Sequence, residues 1–269
     1  MYPRSQLPLW KTVGEAYAIW WRNFPDLVRV CWIWMLLTAP LWAIWVIWWL
    51  EPYLAGRLQE IRAGQPFDPK ALVPNVAPVV GLIMLPAFAS MAVAWHRLLL
   101  QDEHPAAGAY LRLDYMVAAY AAVAFLGNMV MLAPYYFSVT IRFAAEATQS
   151  GAAAFVASVE PFASFAIPFI LARLSLVLPA MALGRRDVTF GAAWKISEGN
   201  TWRMFWAYLL CLLPVLVVVN GTLTFVSHND SHVAASLALI TMSLLAFPVS
   251  MICVGMLSLA YRHFFESGA

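Results

Sequence analysis

Charge is scarce in this sequence: of 269 residues only 11% are Asp, Glu, Lys or Arg, against roughly 25% in soluble globular domains. That scarcity excludes a domain wrapped in a solvated, charged surface. Cysteine is scarcer still, and Cys31, Cys211 and Cys253 each stand alone inside an apolar stretch. None of the paired spacings of zinc sites or disulfide frameworks is present, so the three read as small buried hydrophobes. Neither sign of charge dominates, since sixteen Lys and Arg face fourteen Asp and Glu for a net +2, and this argues against a nucleic-acid partner. A P-loop, a paired-carboxylate site, or a serine nucleophile with a base and oxyanion donors is not found either. The sequence therefore predicts a protein that is not an enzyme and carries no cofactor.

What is abundant is apolar residue, at 63% of the chain with a mean hydropathy of +0.73. It is gathered into six runs, about Leu27 to Leu50, Pro74 to Trp95, Tyr115 to Val139, Pro161 to Leu183, Met204 to Phe225 and Val233 to Tyr261. Roughly 20 apolar residues cross the hydrocarbon core as a helix, and Met204 to Phe225 does so without one Asp, Glu, Lys, Arg or His. The fold class expected is all-α: a polytopic helical bundle of six transmembrane helices with short amphipathic interfacial helices, forming one integral-membrane domain over residues 1–269. A cleaved signal peptide is not expected, because the first run begins only near Leu27 and is too long for an h-region. Six spans put both termini on one side. Arg4, Lys11, Arg22, Arg29, Arg97, Arg112, Arg185, Arg186, Lys195, Arg203 and Arg262 fall on that side, and only Arg57, Arg62, Lys70 and Arg142 fall opposite. Eleven against four predicts cytoplasmic termini.

Nine tryptophans precede residue 50. Trp20 and Trp21 before the first run, and Trp45, Trp48 and Trp49 at its end, read as an interfacial belt rather than a cofactor box. Between runs, Glu51 to Val73 could include a surface helix, with Leu54, Leu58 and Ile61 on one face. Arg142 to Glu160 reads as an Ala-rich connection on the outer leaflet, and Ser227 to His232 as a tight hairpin turn.

The segment Thr12-Val-Gly-Glu-Ala-Tyr-Ala-Ile19, then Asn23, matches Thr189-Phe-Gly-Ala-Ala-Trp-Lys-Ile196, then Asn200, without a gap. A weaker third copy, His104 to Leu111, precedes the third run. In the first copy Thr12 and Glu15 form a capping box, and Val13, Ala16, Tyr17, Trp20 and Phe24 share a helical face suited to the membrane interface. The pattern suggests three parallel units, 9–100, 101–184 and 185–269, each an interfacial helix followed by a helical hairpin.

The opening TVGEAYAIWWRNF, the AVAWHRLLL that closes the second run, RLSLVLPAMALGRR and FGAAWKISEGNTWRMF together resemble uncharacterised bacterial six-span inner-membrane proteins. These are similar to the membrane domain found before some glycerophosphoryl diester phosphodiesterase catalytic domains. The resemblance covers most of the chain through loose motifs. It implies a bacterial cytoplasmic (inner) membrane location and no particular activity, and that group's catalytic domain has no counterpart in these residues.

Arg173 is the leading candidate site residue, a charge near the middle of the fourth run that must face the bundle interior or a wet cavity. Asn128 and Asn220 join it as candidates for a substrate or lipid headgroup, while Trp95, His96 and Arg97 read as cytoplasmic-interface residues. His228 and His232, four apart in HNDSH, would share one helical face, but a third and fourth metal ligand are missing, so no metal site is assigned. Every run carries proline: Pro40, Pro86, Pro134, Pro168 with Pro179, Pro214 and Pro248. Kinks there free carbonyls. The partner expected is the lipid bilayer, with other membrane proteins or further copies of the chain as additional possibilities. Function reads first as a lipid-interacting scaffold or assembly component, and alternatively as a transporter for a small solute or lipid with Arg173 lining the path.

Overall fold

The computed structural model describes residues 6–50, 52–53, 55–56, 59, 77–105, 110–148, 152–229 and 231–266, and no strand occurs among them. In chain order the helices are α1 (Leu9–Arg22), α2 (Phe24–Trp45), α3 (Ala77–Gln101), α4 (Tyr115–Thr148), α5 (Ala152–Leu174), α6 (Val177–Ala182), α7 (Phe190–Ile196), α8 (Thr201–His228) and α9 (His232–Tyr261). α2 and α9 each run on into a π-helical turn, Val46–Leu50 and Arg262–Glu266. Among the described residues six stretches are long and apolar enough to cross a membrane: Phe24–Trp48, Gly81–Gln101, Tyr115–Pro134, Phe165–Ala182, Thr201–His228 and His232–Glu266. The chain is a polytopic α-helical membrane protein, and each expected run has its helix. The Ala-rich connection is corrected, because α4 continues to Thr148 and α5 starts at Ala152. Most of Glu51 to Val73 lies outside the described residues.

Each long helix packs on the next in the order α2, α3, α4, α5, α8, α9 and back to α2, and α3 and α9 also meet across this ring. Burial is graded along the bundle axis. Every residue of α9 from Met251 to Ser258 is buried, and so is every residue of α3 from Ala89 to His96, while Gly81, Leu82 and Ile83 are exposed. α4 buries Val117 and Tyr120 but exposes Asn128 through Ala133. The half nearer the chain ends thus holds the larger core, and the opposite half buries a smaller cluster of Val46, Val226, Ala235 and Leu239. In a bilayer this packing is held by close contact and hydrogen bonds between helices, since lipid tails are as apolar as leucine.

α6 ends on Gly184, whose φ of +72° is one that glycine adopts freely and most side chains avoid. The Gly184 N–H donates to Met181 O at 3.0 Å and Arg185 N–H to Ala180 O at 2.9 Å, a Schellman close that turns the chain toward α7.

α1 departs from expectation at both its start and its seat. It begins at Leu9 after Pro8, so Thr12 lies buried inside the helix and no Thr12–Glu15 capping box forms. The capping threonine is in the other copy, where Thr189 Oγ1 accepts from Ala192 N–H at 3.2 Å at the start of α7. The α1 face expected to meet lipid instead packs on α8 and α9, burying Val13 and Ala16 and leaving Trp10 and Trp21 outward. Tyr17 OH donates to Leu210 O at 2.8 Å. That carbonyl is free because Pro214, four residues on, has no N–H to offer it. Trp20 Nε1–H donates to Pro248 O at 2.7 Å, so α1 is a wedge clamped to two spans.

Candidate functional site

Arg173 lies in the middle of the apolar stretch Phe165–Ala182, yet it occupies the last turn of α5, where the helix breaks before α6. It is 7% exposed. Nε–H donates to Ser197 Oγ at 3.0 Å, Nη2–H donates to Trp194 O, and the guanidinium stacks over the Trp194 ring at 3.6 Å. Trp194 and Ser197 form the C-terminal end of α7, where unpaired carbonyls and the helix dipole favour a cation. Among the described residues Arg173 forms no salt bridge. Its partners are the Ser197 hydroxyl, the Trp194 carbonyl and the Trp194 ring, all at the end of the short helix. A face of aromatics continues the contact: Phe169 stacks on Phe205 at 4.1 Å and meets Trp202 edge-on at 4.6 Å.

Trp95 and His96 are both completely buried between helices. His96 Nδ1 is 2.7 Å from Ser258 Oγ, and Tyr120 OH is 3.4 Å from His96 Nε2. Ser258 Oγ also lies 3.2 Å from Val254 O. One assignment satisfies the chain: Tyr120 donates to Nε2, Nδ1–H donates to Ser258, and Ser258 donates to Val254 O. This links α3, α4 and α9 through a neutral imidazole. Trp95 presses on α9 at Gly255, where an added Cβ would lie 3.4 Å from its Nε1.

Arg97, the next residue of α3, is half-buried and reaches the segment that follows the helix. Its Nε–H donates to Glu103 Oε2 at 2.5 Å and its Nη1–H to Ala182 O at 3.3 Å. Arg112 bridges Glu103 Oε1 at 3.1 Å and Asp114 Oδ2 at 2.6 Å, and Asp114 Oδ1 accepts from Val117 N–H at 3.0 Å at the start of α4. Hydrogen bonding to Arg97, with the charges of Arg97 and Arg112, holds the Glu103 carboxyl below its ordinary range. Burial pulls Asp114 upward, but the Val117 N–H and Arg112 outweigh it and hold this carboxyl low as well. Sequence reading missed this network, whose only signal was the density of charge between Arg97 and Asp114.

Asn128 and Asn220 are both exposed and donate to carbonyls of their own helices, Ala124 O at 3.0 Å and Leu216 O at 2.8 Å. They face differently. Asn128 is about three turns beyond Val117, on the α4 face that packs into the core nearer the start of the helix, and is itself exposed. Asn220 faces away from the buried side of α8. His228 closes α8 and His232 opens α9, so the turn between them places the two on separate helices and the shared-face reading fails. Among the described residues no group of three or more His, Cys, Asp or Glu could hold a metal.

Comparison with protein-family models, with curated proteins and with solved structures finds no match to the chain. The six spans and their packing define the class of protein, and the reading of its role rests on the residues above.

Proposed function

We propose that the chain is a non-catalytic scaffold or assembly component of a bacterial cytoplasmic membrane, with both termini in the cytoplasm. Eleven basic residues against four support that orientation. One observation carries the scaffold reading: the charge of Arg173 is spent on Trp194 and Ser197, where it ties the broken fourth span to α7. A guanidinium engaged in that way is placed to brace a joint, which favours the scaffold reading over a path lined by Arg173. The separate buried layer of Met91, Trp95, His96, Tyr120 and Met251 suits a rigid platform.

A second reading, a permease for a small solute or lipid, is favoured by Asn128, an exposed amide on an inward helix face. Asn128→Cys separates the two when treated with a membrane-impermeant maleimide from each side, since Cys31, Cys211 and Cys253 are buried. The scaffold reading expects labelling only from the face opposite the termini. Labelling from both faces refutes it, because alternating access is what a permease requires.

A further inference from the structure

α8 carries an exposed stripe that none of the described residues covers. It buries Met204, Ala207, Cys211 and Val226. About 180° round the helix, Trp206, Leu213, Val217, Asn220 and Thr224 are all exposed, Val217 at 69%. With half-buried Leu210 these positions are separated by alternating steps of four and three residues, the spacing that packs two helices side by side at a crossing of about 20°.

Asn220 says what should cover the stripe. An amide in an apolar span is costly against lipid and is commonly satisfied by a neighbouring helix. One of its N–H groups is used on Leu216 O, leaving one donor and one acceptor, which is a self-complementary pair. Lipid chains offer neither. A second copy of the chain, inserted the same way about an axis along the membrane normal, brings an identical amide to the same depth. Gly221 follows directly, and a Cβ built there meets nothing within 4 Å, so backbones can approach closely.

We propose that α8 of one copy packs against α8 of a second, in parallel, with the two Asn220 side chains exchanging hydrogen bonds at the axis. This names a partner for the scaffold reading and rests on it. The two are tested apart, since maleimide access at residue 128 reports on a path through one copy and not on pairing between copies.

The test is oxidative cross-linking of the full chain in native membranes, with Val217→Cys on the stripe and Leu237→Cys, 59% exposed on α9, as a collision control. Val217→Cys should yield a disulfide-linked dimer well above the control. Adding Asn220→Leu should weaken association roughly three- to twenty-fold, whereas Asn128→Leu should leave it unchanged. Asn220→Gln, which keeps donor and acceptor, should restore most of the dimer. Equal cross-linking at residues 217 and 237, a product joining Val217→Cys to a different protein, or equal losses from Asn220→Leu and Asn128→Leu would each overturn the proposal. Were Asn220→Leu to lower the yield of folded protein, the contrast between residues 217 and 237 in the Asn220 chain would still decide.

Discussion

Tyr17→Phe removes one hydroxyl, and the structure says what that hydroxyl is for. In an unbroken helix the Leu210 carbonyl would accept from the N–H four residues on, but Pro214 stands there and the Tyr17 hydroxyl takes its place at 2.8 Å. Removing it orphans a carbonyl between helices. Such a group costs about 1–3 kcal/mol in a protein interior, while interhelical hydrogen bonds in membranes average nearer 0.6 kcal/mol, so about 1 kcal/mol is expected. Pro214→Ala supplies the missing N–H within α8. In that background Tyr17→Phe should cost a few tenths of a kcal/mol at most, giving a coupling energy of about 1 kcal/mol in a double-mutant cycle. Burial, with smaller contributions from Cys211 and Cys253, raises the pKa of the Tyr17 phenol above 10. It therefore remains a neutral donor, and the cycle should read the same from pH 6 to pH 8. Unfolding of the four purified proteins by SDS in mixed micelles gives the energies. If Tyr17→Phe costs the same with and without Pro214, the carbonyl is not what the hydroxyl serves and the wedge account of α1 fails.

Arg173→Lys keeps the charge but loses the planar fork that spans Ser197 and Trp194 while stacking on the ring. It should lower the midpoint of thermal unfolding in detergent, by an amount corresponding to about 1–2 kcal/mol, and an unchanged midpoint would mean that the joint does not depend on the fork. The low carboxyls at the boundary give a pH dependence of definite sign. Glu103 and Asp114 titrate lower folded than unfolded, so their contribution is complete above the ordinary carboxylate pKa of about 4 and is lost as pH falls through the folded values. Thermal midpoints measured from pH 7 to pH 3 should drop at the acid end, and Glu103→Gln with Asp114→Asn should flatten that drop. A drop of equal size in the double variant would place the acid sensitivity elsewhere.

The spans were legible because length and absence of charge are properties of one segment at a time. Phe165–Ala182 and Thr201–His228 could be read without knowing their neighbours. What faces a segment is not such a property. Val13, Ala16, Tyr17 and Trp20 form the same stripe whether they meet lipid or protein, so the helix was predicted and its seat was not. His96 sits beside Arg97 in sequence, yet successive residues of a helix point about 100° apart. One therefore meets Tyr120 and Ser258 in the core while the other reaches Glu103 in the segment after α3.

The gapless match between residues 12–23 and 189–200 shows where such reading stops. Ala16 and Ala193 are both buried, and Asn23 and Asn200 both stand at the corner where a short helix gives way to a span. The matched residues that differ do different work: Trp194 carries the Arg173 stack, while Tyr17, its counterpart, serves the gap left by Pro214. In the third copy Ala106–Ala109 lie outside the described residues, and Tyr110–Leu113 are not helical. The two clear copies are also tied to each other. Asn200 Oδ1 accepts from Leu7 N–H at 2.8 Å, and Arg203 Nη1–H donates to Leu7 O at 2.9 Å, so the corner of the second copy holds the entry to the first. Similarity can reveal that two segments share a local shape. The hydrogen bonds that join them run between residues the alignment never pairs, Leu7 with Asn200 and Tyr17 with Leu210, and the packed bundle is what brings those residues together.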